Sequence, residues 1–354
     1  MGWKVVIRPV LAVLSAGLVL SAQSRAAAGQ GCEPIRFTTP VNLGGEGQVY
    51  QPEREWQLTL AYRRLVSKDW FVGKDENSSL APGGTSPVFQ IHTVVADVAY
   101  SISDRVRFRV SVPISSGSLT RTWPDKAVHE QTATGIGDVS VMGEAWAFRP
   151  LTHPRGNMAF SLGIKGPTGS HKIASQFYTA AGATKFPADQ TIQPGDGGWA
   201  LLLQTRAFRQ VTERVFGYAF ASYMVSPKEK SDVEWVPGSG QYWAVPDVYS
   251  ARVGGAFGVW PDQGLTLSLG ARVDGIPIHD LIGGGDDDTI KRTAYVLFAD
   301  PGLTLTRGSS IVTLSIPYRL AVNRQKSVFE QRTNVLNAGG FAKYLVFASY
   351  TRRM

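Results

Sequence analysis

The stretch GIGDVSVMGEAWAFRP, residues 135–150, decides how the rest of the chain is read. After a glycine turn it alternates. Asp138, Ser140 and Glu144 take one parity, and Val139, Val141, Ala145 and Ala147 the other. Successive side chains of a strand point to opposite faces, so the segment is predicted to be a strand with one polar and one apolar face. A long polar loop precedes it, Gly135 to Asp138 is read as the start of the strand, and a brief turn at 149–154 follows.

The same unit recurs on both sides. Toward the N-terminus lie amphipathic segments at 106–114, 89–100 and 56–62, with a tight turn at 101–105 and long loops at 67–87 and 115–134. Toward the C-terminus come segments at 158–165, 199–208, 215–225, 248–259, 265–274, 293–305, 311–322 and 341–351. Long loops at 166–198, 226–246, 275–291 and 323–340 alternate with short turns at 209–214, 260–264 and 306–310. In segment 215–225, Phe216, Tyr218 and Phe220 share a face, and in the last segment Leu345 and Phe347 oppose Tyr344, Val346, Ala348 and Tyr350. Asp300-Pro301-Gly302 interrupts the tenth segment and is read as a bulge.

About twelve strands of roughly ten residues, amphipathic and joined alternately by long and short connections, are the pattern of an all-β transmembrane up-and-down antiparallel β-barrel. Long loops then lie outside the cell and short turns in the periplasm. Closure is obligatory, because an open edge would leave backbone groups unpaired in hydrocarbon. A secreted β-sandwich also alternates, but nothing in such a fold requires loop lengths to alternate, nor Trp56, Tyr62, Tyr318, Tyr344 and Tyr350 to sit near strand ends.

Composition agrees with this reading. A 354-residue chain with 43% hydrophobic residues can bury a large core. One cysteine excludes a disulfide framework and any Cys-based zinc site. Residues 1–28 read as a signal peptide: Lys4 and Arg8, an apolar run over 11–20, and Ala26-Ala27-Ala28 as the cleavage site. That run is about half what a spanning helix needs, and no later one reaches ~18 apolar residues. The residues before Cys32 lack a lipoprotein box. Residues 29–54 are expected to form a periplasmic leader or partial plug, and 55–354 the barrel. Losing Lys4, Arg8 and Arg25 takes the formal charge from +8 to +5, an excess too dispersed for nucleic acid.

At GIGDVSVMGEAWAFRP the chain resembles a family of outer-membrane barrel transporters associated with the meta-pathway of phenol degradation. Gly135-Ile136-Gly137-Asp138, Lys165-Gly166-Pro167-Thr168-Gly169 and Pro301-Gly302 stand in for the family's GxGD, Lys-x-Pro-Thr-Gly and Pro-Gly motifs. The resemblance spans most of residues 50–354 and implies a channel, with hydrophobic compounds among its solutes. One departure is the end of the chain at Met354, where such barrels carry an aromatic residue; Tyr350 or Phe347 would have to serve instead.

The parity predicted to face the lumen collects Arg63, Arg107, Arg109, Lys165, Arg206, Arg252, Arg272 and Arg319 against Asp97, Asp138, Glu144 and Asp274. A charge facing lipid near the midplane would cost ~2–4 kcal/mol, so these are expected to line the interior. They make either a positive wall favouring anionic or polar solutes, or cross-strand pairs that fill a narrow lumen. Asp138 and Glu144 are read as counter-ions for arginines. The run GGGDDD (Gly283, Gly284, Gly285, Asp286, Asp287, Asp288) offers carboxylates to calcium but lacks the spaced ligands of an EF-hand, so no metal or cofactor is assigned. His129, His153, His171 and His279 fall in loops, and His92 has no serine on its face, so no enzyme is expected.

The sequence thus predicts a small-molecule channel of the outer membrane, reached by signal-directed export. Its solutes would be aromatic or other hydrophobic compounds, or anions. Expected partners are outer-membrane lipid, the barrel insertion machinery, periplasmic chaperones and a small-molecule solute, with no nucleic acid. A sealed structural or adhesive barrel is the alternative, and an outer-membrane hydrolase acting through His92 or His279 a third.

Overall fold

The computed structural model describes residues 50, 52–77, 86–283, 289–334 and 338–354. The signal segment, most of the leader and the acidic run 286–288 lie outside the described residues. Twelve antiparallel strands close into a barrel. They are β1 (Trp56–Val72), β2 (Val88–Ser101), β3 (Val106–Thr122), β4 in two pieces (Val128–Ile136 and Ser140–Trp146), β5 (Gly156–Lys165) and β6 (Ala200–Gln210). There follow β7 (Val215–Val225), β8 (Val248–Trp260), β9 (Leu265–Ile276), β10 (Ala294–Arg307), β11 in two pieces (Ser310–Ser315 and Tyr318–Arg324) and β12 (Gly339–Arg353). β12 closes on β1 in register from Gln57–Arg353 to Phe71–Gly339.

The barrel inverts the distribution of a soluble protein. Leu60, Val94, Val98, Val110, Leu162, Ile164 and Leu269 are exposed on its outer face, while Thr59, Arg63, Thr93, Asp97 and Ser111 are buried within. Only a hydrocarbon surround makes that arrangement favourable, with the backbone groups that cross it paired between neighbouring strands around the circuit.

Three expectations need correction. First, residues 135–150 are not one strand that starts at Gly135. β4 already begins at Val128, and one extra residue is inserted at 137–139: Ile114 pairs with Ile136, but Val110 pairs with Val141. This bulge moves the inward parity from odd positions (Gln131, Ala133) to even ones (Asp138, Met142, Trp146). Second, much of loops 67–87 and 115–134 is strand, because β1, β3 and β4 run on past the membrane. Alternation fades there, since the outward side meets water and Ser115–Thr122 holds a single apolar side chain, Leu119, on its inward face. Third, Asp300-Pro301-Gly302 makes no bulge: β10 runs unbroken, and the irregularities lie in its neighbour, at Ile316–Pro317 and at Leu320.

Two further features shape the long-loop end. The ladder between β11 and β12 runs only from Ser310–Arg352 to Tyr318–Tyr344, and above that pair the strands are not hydrogen-bonded to each other. Across the mouth, residues 188–198 fold inward as a strap. Ile192 is buried against Trp70, Phe89, Leu119 and Ala133, and a Cβ on Gly117 would lie 2.8 Å from its own Cβ. A small sheet (Lys230–Glu234, Tyr242–Ala244, Thr289–Ile290) and the helix α1 (Val328–Arg332) complete the cap. A capping box between Ser327 and Glu330 starts α1, and Glu330 also takes Arg324 at 2.6 Å.

Candidate functional site

The candidate site is the barrel interior. Every lumen candidate named from sequence lies on the inward side of its strand, and their partners are now visible. Near the short-turn end, Glu144 sits between Arg107 (Nε 2.9 Å) and Arg206 (Nη2 2.6 Å). Arg206 also lies over the Trp146 ring, and Arg109 donates to Gln204 Oε1 at 3.2 Å. Asp97 accepts a short hydrogen bond from Ser111. Tyr50, the first described residue, stands edge-on to Trp146 and Phe208 and donates to the His153 carbonyl at 2.5 Å.

On the opposite wall Arg252 meets Asp300 at 2.7 Å, out of line for a hydrogen bond, so the contact is an ion pair only. Arg272 and Ser250 both donate to Asp274, at 2.8 and 2.6 Å. Higher up, Arg63 donates to Thr93, which bonds Ser115. Arg319 pairs with Asp69 at 2.8 Å and lies over the Phe71 ring. Its other amine donates at 3.2 Å to the carbonyls of Phe341 and Ala342, where the β11–β12 ladder has stopped. A guanidinium thus satisfies backbone groups that the missing ladder leaves open.

At the mouth the GxGD and Lys-x-Pro-Thr-Gly motifs converge. Lys165, wholly buried, reaches Asp138 (3.1 Å), Asp196 of the strap (2.5 Å) and the Gly198 carbonyl (2.8 Å). Asp138 in turn accepts from the backbone N–H of Gly169 (2.9 Å) and of Asp196 (3.1 Å). A Cβ on Gly169 would fall 2.5 Å from the Gly137 carbonyl carbon, so only glycine permits this approach. The two motifs therefore build one node that seats the strap in the barrel.

Sequence reasoning missed three acids: Asp69, Asp196 and Asp300. Asp300 keeps the inward parity of β10 and was hidden by the expected bulge. Asp69 follows a register shift, and Asp196 belongs to a loop, where periodicity gives no signal. Glu144 serves as a counter-ion for arginines, whereas the cation on Asp138 is Lys165 rather than an arginine. The interior is also more aromatic than the charges suggest. Phe216 and Tyr218 point inward, with Arg252 over Tyr218, and Phe298, Leu345 and Phe347 are buried, with Arg272 over Phe347. His92 faces outward and bonds Tyr62 Oη at 2.7 Å, and His129 pairs with Asp125 at 2.7 Å.

In the cap, burial pushes the Asp280 carboxyl above its ordinary value, against the opposing pull of Lys291 at 2.7 Å. At the rim, a hydrogen bond from Lys228 holds Asp232 below its ordinary value, with Lys172 of the strap's own loop adding to it at 3.4 Å.

A closed barrel with an apolar outer belt, a polar-aromatic interior and a cap at one end is the architecture of an outer-membrane β-barrel. No family model and no curated protein matches the sequence. Among solved structures, the chain superposes on an outer-membrane channel from Pseudomonas putida F1 with a TM-score of 0.60 at 13% identity, covering 90% of this chain and all of that one. The P. putida toluene transporter TodX gives 0.40 at 10% identity, covering 92% and 99%. The translocator domain of the autotransporter NalP from Neisseria meningitidis gives 0.42 at 11%, covering 86% and 90%. The first likeness is one of fold. The other two scores are alike for proteins of different work and mark barrel geometry alone.

Proposed function

We propose that the protein is a gated outer-membrane channel for small, largely apolar or aromatic solutes. The observation that carries this reading is the pairing of the interior charges. Arg107 and Arg206 share Glu144, Arg252 takes Asp300, Arg272 takes Asp274 and Arg319 takes Asp69. A wall whose cations are already engaged offers little to a free anion, and the Tyr218 and Phe347 rings beneath Arg252 and Arg272 engage those two guanidiniums further. The motif resemblance to phenol meta-pathway transporters points the same way. In this reading residues 1–28 direct export, and insertion follows the usual chaperone and assembly route.

Proteoliposomes containing the barrel should take up a neutral monoaromatic compound faster than protein-free vesicles, and faster than they take up its carboxylate analogue. Equal rates for the neutral and anionic forms would remove the apolar reading. No flux of either, in wild type and in a strap-released variant alike, would leave the sealed-lumen barrel.

A further inference from the structure

Outward-facing charges are sparse on this barrel, and their placement is uneven. At the short-turn end Arg209, Arg307 and Arg352 face outward, Arg352 donating to Ser310 at 2.9 Å. At the long-loop end a basic group gathers on two adjoining strands. Arg64 occupies an outward position on β1, opposite His92 of β2 and Val346 of β12. Lys68 follows Ser67, the partner of Ala342, and Lys343 is the next residue after Ala342. β12 has one extra residue here, since Leu65 pairs with Leu345 but Ser67 with Ala342, so Lys343 and Tyr344 are both exposed. Among the described residues, none of the three cations has an ion-pair or hydrogen-bond partner.

Their height is fixed by tyrosines. Tyr344 and Tyr318 are cross-strand partners, each about half exposed, and Tyr62 bonds His92 beside Arg64. Tyrosines that ring a barrel sit at the membrane–water boundary, where an outward cation is tolerated far better than at the midplane. Lysine and arginine at that level, with no protein acceptor, are suited to phosphate: lysine as a point charge, arginine as a two-toothed donor.

We propose that Arg64, Lys68 and Lys343, flanked by Tyr344 and His92, form a docking site for the phosphate groups of an anionic lipid in the outer leaflet. The occupant is the lipid itself, because the site lies on the hydrocarbon-facing side with an apolar strip directly below it on β1 and β12 (Leu60, Val346, Ala348). The nearest acids in sequence, Asp75 and Glu76, belong to the turn above, and Asp69 is taken by Arg319. The inference rests on outer-membrane placement, and its readout is lipid binding rather than transport.

The test is titration of the full-length barrel in mild detergent with a bisphosphorylated lipid A, followed by native mass spectrometry and thermal melting. Dephosphorylated lipid A and inorganic phosphate form the other arms. Wild type should bind and be stabilised by the phosphorylated lipid only. Each of R64Q, K68Q and K343Q should weaken binding about fivefold, and the triple variant about a hundredfold. K326Q, a loop lysine at the same end, should bind as wild type. Heat-modifiable gel mobility establishes that each variant is folded, and vesicle flux of the triple variant reports separately on the channel reading. Unchanged binding by the folded triple variant, or equal binding of the dephosphorylated lipid, would overturn the proposal. An equal effect of free phosphate would overturn the choice of a lipid occupant.

Discussion

Take the ammonium of Lys165 away, and Asp138 and Asp196 face each other in a dry mouth with no cation between them. Removing one partner of a buried ion pair costs ~3–5 kcal/mol. Here that cost is relieved if the strap carrying Asp196 leaves the lumen. Lys165→Met should therefore raise single-channel conductance while the barrel stays heat-modifiable, and unaltered conductance would mean that the strap does not obstruct the path. Glu144→Gln acts on selectivity instead. It leaves Arg107 and Arg206 without their shared carboxylate, so the reversal potential under a salt gradient should move toward anion preference. Gly169→Ala brings a methyl into the Gly137 backbone, an overpacking of roughly 1–3 kcal/mol, and should lower the folded fraction in heat-modifiability gels.

The strap and the β11–β12 gap are where elements, rather than residues, govern behaviour. Gap-facing backbone groups of residues 320–323 and 339–343 lack ladder partners across the gap, whereas the Arg324 amide donates to the Gly73 carbonyl, so the former amides should exchange with deuterium faster than Thr351, which lies inside the paired region. Arg319→Gln should speed that local exchange further, since it removes the donor to Phe341 and Ala342. The rim link of Asp232 to Lys228 and Lys172 carries a pH dependence of definite sign. Its folded-state value lies below the ordinary one, so the contribution is present above about 3.9 and is lost as pH falls through the depressed value. The protection of the Lys230–Glu234 amides, taken relative to their intrinsic exchange rates at each pH, should accordingly fall on acidification. None of these devices shows as a period of two. What the period did show was the barrel itself, because each strand crosses hydrocarbon on one side and a polar interior on the other. Phe216, Tyr218 and Phe220 were legible as sharing a face, but not as facing inward. The outward positions of β7 are Gly217, Ala219 and Ala221, which a barrel wall accepts and a simple count of grease does not anticipate.

At the scale of the molecule, the pairing of interior charges and the two-sided closure of the mouth belong together. A lumen filled by counter-charged side chains and capped by a tethered strap should conduct ions poorly, so wild type is expected to show low conductance in a planar bilayer; large, steady openings would contradict the described cap. Sequence alone supplied the cations and half of their partners. Asp69 and Asp196 were out of reach because register shifts and loop folding are set by contacts distant along the chain, whereas Asp300 keeps the regular parity of β10 and was lost only to the bulge expected at Pro301. The unequal ladders on the two sides of β12 bear on how the molecule would tear. Toward β1 the last strand is held over nearly its whole length, from Arg353 to Gly339, but toward β11 it is held only up to Tyr344. Under tension applied from the extracellular side, the wall should part between β11 and β12. The join of first strand to last, formally the end of the chain's circuit, would then be the stronger rivet, and the final strand would peel away from β11 still fastened to the strand where the barrel began.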